Sequence, residues 1–262
     1  MKRSRKSPVQ LGALIAVFLL VGHSRCDARQ AAAPAASPGP SAAAREPDAH
    51  GKAIPIKLLF LGNSITLHGP APAIGWSGNW GMAASAREKD YVHLVTDSLT
   101  RTRGTVPEVL VKNIADFERH CATYDAAAKL PDALAFKADL IILAIGENVP
   151  SLDREDAKDQ FAKSLTKLLR TLTADHHPTM IVRSCFWPNK AKDLILRQAC
   201  GAAGGIFVDI SGLGQDEANY ARSERPFKHS GVARHPGDRG MQAIAAAILE
   251  AINRQGRKGT GP

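Results

Sequence analysis

Three residues of this 262-residue chain, Ser64, Asn148 and His235, have the types needed for acyl transfer through a covalent intermediate. A serine hydroxyl is a poor nucleophile until a base takes its proton, and histidine titrates in the range suited to that task. The reaction then builds negative charge on a carbonyl oxygen, which positioned N–H groups must stabilise. Ser64 comes after Ile56-Lys57-Leu58-Leu59-Phe60-Leu61, an apolar run between Pro55 and Gly62 that reads as a buried parallel strand. A serine just past the carboxyl end of such a strand lies where open α/β sheets bind ligands. Were a helix to begin directly after it, Ser64 would equally suit an N-cap.

The elements that must position these residues alternate. Further strands are expected at Val109-Leu110-Val111, at 138–146, at Thr179-Met180-Ile181-Val182 and at 205–210. Helices are expected over 83–100, 153–172 and 239–252, each with apolar residues at helical spacing, and a short one over 193–199. The segment with Phe117, Cys121, Tyr124 and Leu130 has no assigned element. The alternation predicts one α/β domain over 54–254, a doubly wound flavodoxin-like fold with a five-stranded parallel sheet. In that fold the strand carboxyl ends share one edge. They would carry Ser64, the loop Asn79-Trp80-Gly81, the turn Gly146-Glu147-Asn148 and, before the last helix, His235.

Composition narrows the function. Lys2, Arg3, Arg5 and Lys6 precede an apolar run from Leu11 to Gly22, which suits the core of an export signal over 1–28. Lipidation at Cys26 is disfavoured by Arg25, and stable membrane insertion after signal removal is not expected. Residues 29–53, rich in Ala, Pro, Ser and Gly, read as a linker, and 255–262 as a tail. Of the formal charge of +9, +4 falls in residues 1–28, leaving +5 with no dense basic block. Nucleic acid is therefore not an expected partner. Neither GxGxxG nor GxxxxGK[ST] is present, and Cys121, Cys185 and Cys200 show no zinc spacing. Cys185 and Cys200 are the nearest pair for a disulfide. Asp175-His176-His177 lacks a third ligand at fitting spacing, so neither metal nor cofactor is expected.

Gly62-Asn63-Ser64, Gly81, Gly146-Glu147-Asn148 and His235-Pro236 together resemble the four marks of the SGNH (GDSL-type) hydrolases, in that superfamily's order. The resemblance implies a serine esterase with Ser64 as nucleophile and His235 as base. Its oxyanion donors would be the backbone N–H groups of Ser64 and Gly81 and the side-chain amide of Asn148. With the export signal, it points to a small or glycan ester as substrate, an acetyl ester foremost; the signal itself implies a secreted or periplasmic protein, and a monomer is expected. A non-catalytic carbohydrate-binding protein or an acyltransferase on the same fold are the alternatives.

The departures from the pattern are specific. Asn63 stands where the block usually has aspartate, and Val149 where an aspartate often comes after the asparagine. Val232 stands three residues before His235, the usual place of the triad acid; a backbone carbonyl could orient the imidazole instead, giving a Ser-His dyad. Asp238 is expected to cap the last helix; Glu147 and Asp209 are the remaining carboxylate candidates. His68 and His229 lie in site-forming loops, and Trp76, Trp80 and Trp187 stand where a sugar platform could form.

Overall fold

The computed structural model describes residues 56–259. The expected signal over 1–28 and linker over 29–53 lie outside the described residues. Five strands, β1 (Lys57–Gly62), β2 (Glu108–Asn113), β3 (Leu140–Ala144), β4 (Thr179–Arg183) and β5 (Ile206–Val208), form one parallel sheet in the order β2-β1-β3-β4-β5. The direction of strand succession reverses between β1 and β3, and at such a point the flanking loops part to leave a crevice.

Alternation within the strands sends successive side chains to opposite faces. Leu58, Phe60 and Ile142 pack on one face with α1 (Tyr91–Arg103) and α8 (Asp238–Gly259). Leu59, Leu61, Ile141 and Leu143 pack on the other with α5 (Glu155–Thr173) and α6 (Lys190–Ala202). Continuous apolar runs in β1 and β3 are thus the mark of strands covered on both sides.

The structure departs from the sequence expectation at several places. No helix begins after Ser64: the Asn63 carbonyl accepts from the N–H groups of Thr66 and Leu67, both at 2.9 Å, closing a turn. Ser64 therefore caps nothing. The helix expected from Ala83 begins at Tyr91, because Ala83 has φ +72° and Asp90, accepting from His93 N–H, caps the helix there. The unassigned segment after β2 forms three short helices, α2 (Ala115–His120), α3 (Ala126–Lys129) and α4 (Pro131–Phe136). Elements of four to six residues are too short to show a full amphipathic repeat. A one-turn helix, α7 (Ser230–Ala233), precedes His235. The last helix runs on to Gly259, so the expected tail is helical over 255–259. Cys121, Cys185 and Cys200 are all free thiols, so the Cys185–Cys200 disulfide does not form. Burial pushes the Cys200 thiol up to about 11.

Gly146 makes the turn after β3 possible. Its φ is +125°, and a Cβ there would lie 2.4 Å from Cys185 Sγ. A side chain meets both backbone strain and steric overlap. Gly146→Ala should lower stability by at least about 1–3 kcal/mol in thermal or denaturant unfolding, and a wild-type melting temperature would contradict this account of the turn.

Candidate active site

At the carboxyl edge of the sheet the β1 turn, the β3 turn, the start of α2 and the α7 loop enclose a cleft of about 450 Å³. Its walls include Ser64, His68, Asn113, Arg119, Asn148, His229 and His235. Ser64 Oγ lies 2.8 Å from His235 Nε2, across 171 residues of sequence. The other ring nitrogen, Nδ1, lies 2.8 Å from the Gly231 carbonyl oxygen, which can only accept. That contact assigns the proton to Nδ1 and leaves the Nε2 lone pair facing the serine hydroxyl. His235 is 8 % exposed, and burial lowers its pKa. The His68 ring opposes its protonation too, while the Gly231 carbonyl and the Glu147 charge favour it. The net shift keeps the imidazole neutral at neutral pH.

Val232 does not substitute for an acid. It is 1 % exposed and packs with Trp76, Met82, Ala83 and Ala221. Asp209 is engaged by Ser184, Ser211 and Arg197. The Asp238 carboxylate accepts from Ser85 N–H, Ser85 Oγ and Lys89 Nζ. It does not cap α8. Glu224 does so instead, accepting from Asp238 N–H and Arg239 N–H at 2.8 Å each. The one-turn helix α7 is what brings a carbonyl under the imidazole, and His229 holds its start by accepting from Gly231 N–H.

Beneath the serine lie two buried carboxylates. Glu147 accepts from Asn63 Nδ2 at 2.7 Å, from Phe186 N–H at 2.9 Å and from Arg183 Nη1 at 2.6 Å. Burial alone would raise its pKa, but Arg183 and these donors together hold the carboxyl below its ordinary range. Glu118, from α2, accepts from Gly146 N–H at 2.6 Å and from Asn148 N–H at 3.1 Å. It also takes the side-chain amides of Asn148 at 2.8 Å and Asn63 at 3.2 Å. Burial and the neighbouring Glu147 charge push its pKa up. Asn63 Nδ2 thus donates to both carboxylates while its Oδ1 accepts from Ile65 N–H, fixing the turn that carries Ser64.

Two expected site residues stand elsewhere. The Gly81 N–H donates to Asp90 Oδ2 at 2.9 Å, so it is not available to an oxyanion. A Cβ at Gly81 would lie 2.6 Å from the Ile65 carbonyl, which accounts for glycine there by close packing. Trp80 is not among the cleft residues: its indole meets Trp76 edge-on at 5.6 Å, and its Nε1 donates to the Ala84 carbonyl. Trp187 instead packs edge-on against the His235 ring at 5.4 Å. His68 and His229 line the cleft as expected. Glu118, Arg119, Arg183 and the Gly231 carbonyl are not among the residues expected from sequence. Glu118 and Arg119 come after β2, a strand end at which the sequence shows no catalytic motif. A backbone acceptor has no residue signature. Among the described residues no group of three or more His, Cys, Asp or Glu side chains is placed to hold a metal.

A protein from Parabacteroides merdae assigned as a GDSL-like lipase superposes with a TM-score of 0.50 at 18 % identity, over 76 % of this chain and 95 % of that one. The chain has the SGNH hydrolase fold. Two further solved structures score lower. An acetyl xylan esterase from Butyrivibrio proteoclasticus has a TM-score of 0.47 at 13 % identity, over 79 % of this chain and 66 % of that one. A family two carbohydrate esterase from Cellvibrio japonicus has 0.45 at 17 %, over 78 % and 64 %. No protein-family model and no curated protein matches the sequence. The usual aspartate of the SGNH serine block is Asn63 here, and the two carboxylates that share its amide give the reason. Asn63→Asp would place a third carboxylate among them. A buried, unmatched charge of this kind costs on the order of 3 kcal/mol. The variant's native state would hold extra protons relative to its unfolded chain, so its stability deficit should grow as pH rises and shrink towards pH 5. Unfolding at several pH values checks this; a deficit independent of pH would contradict it.

Proposed function

We propose that the chain is an exported serine esterase that removes a short acyl group, acetyl foremost, from a hydrophilic ester such as a substituted glycan. The observation that carries the reading is the relay from Ser64 Oγ through His235 to the Gly231 carbonyl, with both contacts at 2.8 Å. In the reaction Ser64 Oγ attacks the acyl carbon as its proton passes to His235 Nε2. The imidazolium so formed keeps its Nδ1–H on the Gly231 carbonyl and lies in the field of the Glu147 charge, which favours it. Ser64 N–H and the Asn148 side-chain amide serve as donors to the developing oxyanion. His235 returns the proton to the departing alcohol, leaving an acylated Ser64. A water molecule, deprotonated by the same imidazole, then releases the acid.

The cleft supports the choice of substrate. Asn113, Asp116, Arg119, His68 and His229 give it a polar lining, which suits a hydrated alcohol moiety better than a long hydrocarbon chain. The basic segment and apolar run before residue 29 support export, and no described helix is long and apolar enough to cross a membrane. The Gly231 carbonyl bonded to His235 supports the catalytic reading over a non-catalytic protein, whose main support is the lack of an acid at Val232.

Ser64→Ala and His235→Ala should each abolish p-nitrophenyl acetate hydrolysis above background, with comparable losses because nucleophile and base act as one unit. Turnover by Ser64→Ala at the wild-type rate would overturn the reading. Because the free imidazole is the base and its pKa is lowered, kcat/KM should fall on the acid side with its inflection below pH 6.5 and level off as pH rises past it. An inflection above 6.5 would contradict the neutral, buried imidazole.

A further inference from the structure

Resting on the esterase reading, we propose that Glu118 is a positioning residue that, with its neighbour Arg119, sets which end of the Asn148 amide is offered to the reacting carbonyl. The two residues are consecutive in α2 and grip opposite ends of the same group. Glu118 Oε2 accepts from Asn148 Nδ2 at 2.8 Å, and Arg119 Nη2 donates to Asn148 Oδ1 at 3.2 Å. A primary amide has one face of donors and one acceptor, and rotation about its last bond exchanges them. A buried acceptor on one side and a cation on the other allow one of the two orientations. In the rejected one the amide oxygen faces a carboxylate and the NH2 group faces a guanidinium. Each clash costs more than the loss of an ordinary hydrogen bond, since both involve an ionised partner.

Glu118 is built to hold this position. It is fully buried and takes four donors, two of them backbone N–H groups of the β3 turn, Gly146 and Asn148. The carboxylate therefore fixes the backbone from which Asn148 projects as well as the amide at its tip. Nδ2 has two protons; Glu118 takes one, and the second serves the oxyanion. Catalysis by such a donor depends on its being aimed before the charge develops. Arg119 lies at the rim, exposed, and its guanidinium also lines the cleft.

Glu118→Gln keeps the shape and one acceptor but turns an NH2 group towards Asn148 Nδ2. The amide must then rotate against Arg119 or swing away. We expect kcat for p-nitrophenyl acetate to fall on the order of 10- to 100-fold, short of the loss caused by removing a donor outright, with KM changed by less than about 2-fold. The decisive comparison is a double-mutant cycle with Asn148→Ala. If Glu118 acts through the amide, Glu118→Gln should cost little more, within about 2-fold, once that amide is gone. An equal loss in both backgrounds, or a wild-type kcat for Glu118→Gln, would overturn the proposal. Should Glu118→Gln fail to fold, Arg119→Ala, at an exposed position, runs the same cycle: a several-fold loss of kcat that vanishes with Asn148→Ala supports the proposal, and an additive loss overturns it. Ser64→Ala separates this inference from the esterase reading. If it turns over as fast as wild type, the esterase reading falls and this inference with it; if it is inactive while the cycle is additive, only the inference falls.

Discussion

Two carboxylates, Glu118 and Glu147, lie side by side at the buried edge of the sheet, and the site depends on how their charge is matched. Arg183 pairs with Glu147 in the interior, while Glu118 is matched only by N–H donors. Carboxylates this close repel, and burial opposes the ionised form of each. The shared Asn63 amide is the hinge of the arrangement, since one nitrogen supplies both acids and neutrality at that position avoids a third charge. The turns that carry Ser64 and Asn148 are thereby tied to the same buried cluster. A pair of buried acids is costly in isolation, and breaking one partner of a matched set is costlier still. The cluster therefore fixes geometry more than it adds stability.

The second constraint concerns His235, the proposed base. A serine-histidine pair needs its tautomer held, and an aspartate does this in the familiar triad. Here α7 supplies the Gly231 carbonyl at 2.8 Å instead. A carbonyl bears only a partial charge, so it fixes orientation as well as a carboxylate does but stabilises the imidazolium less. The Glu147 charge favours the protonated His235 ring. Trp187 packs against that ring at 5.4 Å with the two planes nearly perpendicular.

Much of this architecture was legible in the sequence where long apolar runs or well-spaced stripes marked it. β1, β3, α5 and α8 were placed to within a few residues, apart from the extra turns of α8, and the alternation implied the parallel sheet. Ser64, His235 and Asn148 stand together because the sheet edge gathers the turns after β1 and β3 and the loop before α8. The failures have physical causes. Glu118 and Arg119 sit on a six-residue helix whose periodicity is too short to read. Gly81 carries a glycine for packing against Ile65, and nothing in a sequence reveals that its N–H is already donated to Asp90. Trp80 and Trp187 are chemically alike, and only the fold decides that the second meets His235. The carbonyl that meets His235 Nδ1 belongs to the backbone, which every residue shares.

The hold of the Gly231 carbonyl on His235, with the proton on Nδ1 and Nε2 free for Ser64, is open to direct test by ¹⁵N NMR of the imidazole across a pH titration. The Nδ1–H tautomer is expected at neutral pH, with a titration midpoint below the ordinary histidine value of 6.5. An Nε2–H tautomer, or a midpoint above 6.5, would contradict it.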